Sequence, residues 1–301
     1  MFNKIISNIL STEYFQNKPP LLVDIGASGE IYTKWKQIAS HCICVAFDAD
    51  TRDFNAIVEE NKGYKKLYKI NRIVAADSAE NKTFYLTKSP YCSSTLKPDM
   101  QHLEDWDFKS LFEVEKTVSL PSIQLNKALQ SIEYDYIDWF KVDSQGTDLD
   151  IFLSLPDEIR SKILAADFEP GIIDAYLGED KLHQVQKAIE NEGMWFSSFV
   201  VKGTKRINEK YANISEFQRN SPCWAELTVL KTKNYSDIRS LLLLIIFSLI
   251  EDQWGFAIEL IDKSELNNPI LKNIKDSIIK EATSKNIFKR KLSLIRSKFG
   301  F

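Results

Sequence analysis

Short continuous runs of apolar residues recur along the first two thirds of the chain, and helical spacing predominates between them. Runs of this length are typical of parallel strands that are buried on both faces. Strands that alternate with helices predict a mostly parallel sheet with helices on both faces. The pattern therefore predicts an α/β fold, with strands at residues 21–25, 42–47, 72–76, 136–142 and 163–168.

The two ends of the chain have a different pattern. Residues 2–16 predict a short amphipathic helix before the first strand, and from residue 236 onward every segment has helical period. Residues 195–202 and 223–231 predict a closing pair of antiparallel strands. The expected organisation is one α/β domain over residues 1–232, including the N-terminal helix, followed by a C-terminal helical extension over residues 233–301.

Acidic residues follow the predicted strands at the same end. The first strand leads into Asp24-Ile25-Gly26-Ala27-Ser28-Gly29, where the glycines permit a tight turn against a ligand. The later runs are followed by Asp48, Asp77, Asp143 and Glu169. Asp48 has the spacing at which such sheets place an acid on a ribose. Because the carboxyl ends of parallel strands share one edge, we expect all these acids to surround one ligand site.

Composition narrows the class of partner and the compartment. The 301 residues carry a net charge of -3, which argues against nucleic acid as the main partner. The four cysteines form no CxxC pair and have no histidine at metal-ligand spacing, so we expect no metal site and a reducing, cytoplasmic compartment. The N-terminus lacks the pattern of a signal peptide, and the most apolar run, residues 241–250, is too short to span a bilayer.

Four stretches together resemble the FkbM family of S-adenosylmethionine (SAM) dependent methyltransferases, over roughly residues 20–200. They are residues 23–29 (VDIGASG) with Trp35 after them, 46–50 (AFDAD), 92–94 (CSS) and 140–146 (FKVDSQG), to which 168–171 (FEPG) adds. The resemblance implies a Rossmann-like class I methyltransferase fold with a mostly parallel seven-stranded sheet. It also implies SAM as methyl donor and O-methylation of a hydroxyl on a sugar, a glycan or another small natural product.

The resemblance also implies a role for each matching residue. It places Asp24, Gly26, Ala27 and Ser28 at the methionine part of SAM, Asp48 at the ribose, Ala76 and Asp77 beside the adenine, and Asp143 facing the methyl group. Methyl transfer to an alcohol also needs a base that takes the hydroxyl proton. Asp143 is the first candidate for that base, and Glu169 is the second.

Two other functions are open at this point. A nicotinamide-dependent oxidoreductase would need a third glycine at the start of the first helix, and residues 32–34 (YTK) supply none. A non-catalytic binding module with a methyltransferase fold, recruited through its helical extension, is disfavoured by the intact Asp48 and Asp143. Binding of labelled SAM would separate the three functions.

The long segment 88–112 has no regular pattern, and loops of this length in compact domains usually have a function or move. It follows the third predicted strand, so it can fold over a ligand at the strand ends. Hydroxyls at Ser93, Ser94 and Thr95 would suit a polar ligand there. The equal alternative is that they only satisfy the backbone of the loop.

Residues 285–301 carry six basic residues and no acidic one. On a helix, Phe288, Leu292, Ile295 and Phe299 fall on one stripe. This stripe either packs on the helices of residues 236–283, which is the favoured interpretation, or lies in the surface of an anionic membrane. The second alternative would make the protein peripheral at the inner face of a membrane.

Overall fold

A computed structural model describes residues 2–27, 32–48, 63–207, 211, 214, 219–232, 237–266 and 268–299, with the main chain alone from residue 285 onward. The chain divides into two compact units, one of residues 20–234 and one of residues 1–19 together with 235–301. The sequence pattern predicts that the N-terminal helix belongs to the same domain as the sheet. In the structure its contacts group it with the C-terminal helices instead.

The described residues of the larger unit form ten strands. These are β1 (Leu21–Ile25), β2 (Ile43–Phe47), β3 (Lys66–Ile70), β4 (Ile73–Val74), β5 (Asn81–Thr87), β6 (Val114–Ile123), β7 (Trp139–Val142), β8 (Ala165–Phe168), β9 (Met194–Lys205) and β10 (Asn220–Lys231). Seven of them make one sheet in the order β3-β2-β1-β7-β8-β10-β9. Neighbours from β3 to β8 are parallel, and β10 is antiparallel to β8 and β9. The predicted α/β fold, with a mostly parallel seven-stranded sheet, is confirmed.

The helices that the structure describes are α1 (Asn3–Leu10), α2 (Leu125–Ser131), α3 (Asp148–Leu153), α4 (Asp157–Arg160), α5 (Leu182–Asn191), α6 (Ile238–Ile250), α7 (Trp254–Asp262) and α8 (Pro269–Phe299). Residues 32–39 predict one helix after the glycine turn, whereas the structure has two short 3-10 helices, Thr33–Gln37 and Ala39–His41. Trp35 of the first is fully buried and packs edge-on against Trp139, so it belongs to the core. The sequence also predicts a helix at residues 51–61, which lie outside the described residues.

The third apolar run does not join the main sheet, which corrects the prediction. Its residues Ile73–Val74 form β4, which pairs with β6 in a separate sheet of three strands. The place beside β2 is taken by β3, an edge strand whose side chains are exposed or half-buried. An edge strand needs no continuous apolar run, so β3 has none. The apolar run that predicted the third strand belongs to the buried residues Ile73 and Val74 instead. Asp77 therefore does not lie at the carboxyl edge of the seven-stranded sheet.

The smaller unit packs helices around an apolar interior. α6 is buried from Leu241 to Leu249, and α1 buries Ile5, Ile6, Ile9 and Leu10 on one face. None of the helices in the described part of the chain combines the length and the apolar character that a bilayer crossing requires. α8 continues to Phe299, but its side chains beyond residue 284 are outside the described part of the chain, so the predicted apolar stripe stays a prediction.

The core of the larger unit contains three aromatic rings that contact one another. Phe140 of β7, Phe152 of α3 and Phe168 of β8 have ring centroids 5.3–6.0 Å apart. All three are almost completely buried. Because α3 follows directly on the loop after β7, this cluster fixes the helix against the strand ends where the acids lie.

The neighbouring residues Phe152 and Leu153 give a matched test of this core. Phe152→Ala removes a ring that is 1% exposed and should destabilise the protein by about 3–5 kcal/mol. Leu153, one position along the same helix, is 45% exposed, so Leu153→Ala should cost less than about 1 kcal/mol. Unfolding in urea measures both changes. Equal losses would show that α3 does not present this face to the sheet.

Candidate functional site

The glycine turn after β1 packs directly on the end of β7. Gly26 has a φ of +77°, and a Cβ at this position would lie 2.1 Å from the carbonyl oxygen of Asp143. The amide of Asp143 donates to the carbonyl oxygen of Ile25 at 3.0 Å. The amides of Gly26 and Ala27 both donate to the carbonyl oxygen of Phe47. Only glycine fits at position 26, and the contact brings the turn and Asp143 together.

Asp24 is part of β1, just before this turn, and its side chain is buried in the sheet. Its side chain is 1% exposed and forms an ion pair at 3.1 Å with Lys141, its neighbour in register on β7. The other carboxylate oxygen of Asp24 accepts from the amide of Tyr32 at 3.2 Å. The ammonium of Lys141 lies 3.4 Å from each of the carbonyl oxygens of Ile25 and Gly26. Asp24 and Lys141 therefore set the shape of the turn from inside the sheet.

A cavity opens above the turn, and we call it the turn cavity. Gly26 and Asp48, which follow β1 and β2, line it, and Asp48 is 8% exposed. Arg72, β4 and Phe84 also line it, with Tyr91, Ser93 and Thr95 of the irregular segment. Asp143 and the three residues Ser144, Gln145 and Thr147 complete the lining. The cavity thus combines an acid at the end of β2 with an apolar wall.

A second cavity of about 420 Å³ lies beside the first, and we call it the aromatic cavity. Five aromatic side chains line it, those of Tyr91, Phe108, Phe112, Tyr176 and Trp224. The rings of Phe108 and Trp224 stack with an interplanar angle of 13°. Its charged lining residues are all acidic, namely Asp143, Glu169, Glu179 and Glu226. The cavity can hold a ligand that has both an apolar face and hydroxyl groups.

Three residues belong to both cavities: Tyr91, Asp143 and Gln145. Asp143 follows the buried strand β7, whereas Tyr91 comes from the irregular segment and is 65% exposed. A ligand in each cavity would therefore meet the other at the carboxylate of Asp143. This is the arrangement that a transfer between two bound molecules needs.

Asp148 holds the two candidate acids in place. One oxygen of its carboxylate accepts from the amide and the hydroxyl of Ser144, at 2.8 and 2.6 Å. The other accepts from the amide of Glu169 at 2.9 Å. Asp148 is 1% exposed, and burial raises its pKa to about 6. It links the loop after β7 to the end of β8, and so fixes Asp143 and Glu169 relative to one another.

The two acids differ in the groups that stabilise their charge. Burial raises the pKa of Glu169 to about 9, and the carboxylate of Asp143 contributes to the rise. Burial also raises the pKa of Asp143, but Lys141 and a hydrogen bond from Gln145 oppose that rise. Burial would lower the pKa of Lys141, and the carboxylates of Asp24 and Asp143 outweigh it and raise that pKa. Glu169 therefore retains a proton at neutral pH, whereas Lys141 and Gln145 favour the charged form of Asp143 against its burial.

The remaining residues that the sequence predicted for the site do not all line a cavity. Ala27 is buried and does not line the turn cavity, and Ser28 lies outside the described residues. Ala76 and Asp77 are not among the lining residues, and the exposed carboxylate of Asp77 pairs with Lys82. The structure thus brings Gly26, Asp48, Asp143 and Glu169 to the two cavities.

The irregular segment 88–112 lines both cavities, as expected of a loop that folds over a ligand. Its hydroxyls divide between the two interpretations. Ser93 accepts from the amide of Thr87, and Ser94 donates to the carbonyl oxygen of Gln145. These two satisfy the backbone, although Ser93 also lines the turn cavity together with Thr95.

Sequence reasoning missed Lys141, Gln145, Asp148 and Tyr176 as members of the site. A signal existed for Lys141, because a lysine inside an otherwise apolar strand must find a charged partner. Gln145 and Tyr176 are 31 residues apart and meet only through the fold. Their contact has no signature in local sequence.

The sequence matches no known protein-family model, and no curated protein is similar to it. The resemblance to the FkbM family therefore stays a prediction.

The pKa of Glu169 predicts how stability depends on pH. The folded protein holds the proton of Glu169 up to about pH 9, whereas an unfolded glutamate loses it near pH 4.3. The stabilisation is therefore complete below about pH 4.3 and is lost as the pH rises through about 9. We expect the parent to lose more unfolding free energy than Glu169→Gln between pH 6 and pH 9, by more than about 1 kcal/mol.

Urea unfolding at the two pH values measures this difference. Glu158→Gln, at an exposed glutamate of α4, is the control and should keep the pH dependence of the parent. If Glu169→Gln lost as much stability as the parent, Glu169 would already be ionised in the folded protein at pH 6.

Proposed function

We propose that this chain is a SAM-dependent O-methyltransferase with a class I methyltransferase fold. SAM would occupy the turn cavity, and an acceptor with a hydroxyl group, such as a sugar, a glycan or another small natural product, would occupy the aromatic cavity. The observation that carries the proposal is the position of Asp143 at the junction of the two cavities. A methyl donor and an acceptor held on either side would meet at one carboxylate.

The residues of the turn cavity fit the parts of SAM. Asp48 follows β2, where a doubly wound sheet places the acid that accepts from ribose hydroxyls. The apolar side chains of Ile73, Val74 and Phe84 suit an adenine ring. Gly26 has no Cβ, so backbone and ligand can approach closely. The carboxylate of Asp143 suits the positive charge of a sulfonium.

The sheet order supports the same proposal over a nicotinamide enzyme. β3-β2-β1-β7-β8 follow the doubly wound order, but the sheet then ends with an antiparallel pair rather than a sixth parallel strand. The turn after β1 also lacks the third glycine of a dinucleotide site.

Bound SAM would supply an activated methyl group. The protein's part is to hold the acceptor hydroxyl at the junction and to take its proton as the carbon–oxygen bond forms. The carboxylate of Asp143 takes that proton. Glu169, which holds a proton at neutral pH, can donate a hydrogen bond to another oxygen of the acceptor molecule.

Calorimetry with SAM tests the cofactor site. The parent should bind SAM, and Asp48→Ala should bind it at least tenfold more weakly, because each hydrogen bond to a charged acceptor contributes about 1.5–3 kcal/mol. Glu158→Ala changes an exposed glutamate that is not among the lining residues of either cavity, and it should bind as the parent does. An Asp48→Ala variant with the affinity of the parent would contradict the placement of the ribose.

Transfer of labelled methyl groups from SAM to fractions of a cell extract tests the reaction. Asp143→Asn keeps the shape of the side chain but removes the base. We expect its turnover to fall at least a hundredfold while its affinity for SAM changes much less. Unchanged turnover would move the role of the base to Glu169. A parent that binds SAM but labels no fraction would support a non-catalytic module instead.

A further inference from the structure

Gln145 has an unusual main-chain conformation at the junction of the two cavities. Its φ is +58°, in the left-handed region that residues other than glycine rarely adopt. Such a conformation is strained and persists only where the surroundings hold it. Here the carbonyl oxygen of Gln145 accepts from the hydroxyl of Ser94 at 2.7 Å, and that of Gly146 accepts from the amide of Asp180 at 2.8 Å.

This conformation directs the side chain of Gln145 between two functional groups. Its Nε2 donates to Oδ1 of Asp143 at 2.5 Å, and its Oε1 lies 3.0 Å from the hydroxyl of Tyr176. The orientation of the amide follows from its neighbours, because a carboxylate can only accept and the tyrosine hydroxyl has a proton to give. The same hydroxyl lies 2.9 Å from the carbonyl oxygen of Cys92.

Tyr176 connects the pair of Gln145 and Asp143 to the aromatic cavity. It is 5% exposed, lines the aromatic cavity, and its ring lies 5.5 Å from that of Phe112 in the same wall. Among the described side chains, Gln145 is the one that donates a hydrogen bond to the carboxylate of Asp143. The orientation of the Asp143 carboxylate therefore depends on Gln145, which Tyr176 of the aromatic cavity holds in place.

We propose that Gln145 is a positioning residue that fixes the orientation and the charge of Asp143, and that Tyr176 holds Gln145 in that position. The consequence for turnover rests on the proposed methyl transfer. The effect on the carboxylate itself does not, because it is a property of the protein without ligands.

The charge of Asp143 has several contributors. Burial is the largest effect and opposes the ionised form, as do Asp24 and Glu226. Lys141 favours the ionised form, and the carboxylates of Glu169 and Asp148 interact with it. The hydrogen bond from Gln145 favours the ionised form, so its removal should raise the pKa of Asp143.

Gln145→Gly separates positioning from structure. Glycine adopts the left-handed conformation without strain, so the fold should be kept or slightly stabilised while the side chain is lost. Titration of protein labelled with ¹³C at the aspartate carboxyls measures the pKa of Asp143, whose signal is assigned by its loss in Asp143→Asn. We expect a higher pKa for Asp143 in Gln145→Gly and a smaller rise in Tyr176→Phe. Gln186→Leu, at an exposed glutamine of α5, should leave it unchanged.

The kinetic result should follow the titration. With the acceptor found in the extract, Gln145→Gly should lose at least tenfold in kcat, with a smaller change in KM for SAM, and its pH–rate profile should shift to higher pH. A folded Gln145→Gly with the Asp143 pKa of the parent would overturn the inference, whatever the reaction. A raised pKa in a protein that transfers no methyl group would uphold the inference and refute the proposed function.

Discussion

The contact between Gly26 and the carbonyl group of Asp143 is the constraint on which the rest of the site depends. No side chain fits between the turn after β1 and the end of β7, since a Cβ would lie 2.1 Å from the carbonyl oxygen. β1 lies between β2 and β7 in the sheet. The chain therefore continues from β1 to β2 on one side of this point, and from β7 to β8 on the other. Both cavities open there and share Asp143 as a wall. A larger residue at position 26 would move that wall and separate the two cavities from their common acid.

The buried ion pair beneath this contact explains why the acids can gather above it. Taking Lys141 and Asp24 out of water is costly, and a pair of this kind is weak evidence for stability on its own. Lys141, however, is also close enough to Asp143 and Glu169 for their carboxylates to raise its pKa. Its one positive charge faces several acids, so the site keeps an excess of negative charge. Under the proposed function that excess suits a cationic cofactor. Burial and the nearby carboxylate of Asp143 keep a proton on Glu169 without one.

How far the sequence predicts this structure depends on how each element is buried. β1, β2, β7 and β8 were predicted because strands buried on both faces need continuous apolar runs. β3 was missed because it is an edge strand with Lys66 and Lys69 among its residues, and the apolar pair of β4 was taken in its place. Asp48, Asp143 and Glu169 follow strands, so their common position could be expected. The contact of Gln145 with Tyr176 depends on two loops and on a left-handed residue, which no local pattern specifies.

The site combines a fixed frame with one exposed wall. Asp148 links the amides of Ser144 and Glu169, so the two acids keep their separation whether or not a ligand is bound. Such preorganisation avoids the cost of ordering the acids during a reaction. Tyr91, in contrast, is 65% exposed and belongs to a segment with little regular structure, although it lines both cavities. Under the proposed function, the chemistry would reside in the frame at the strand ends. The choice of acceptor would reside in the segment around Tyr91, because its side chain can adjust without disturbing the acids.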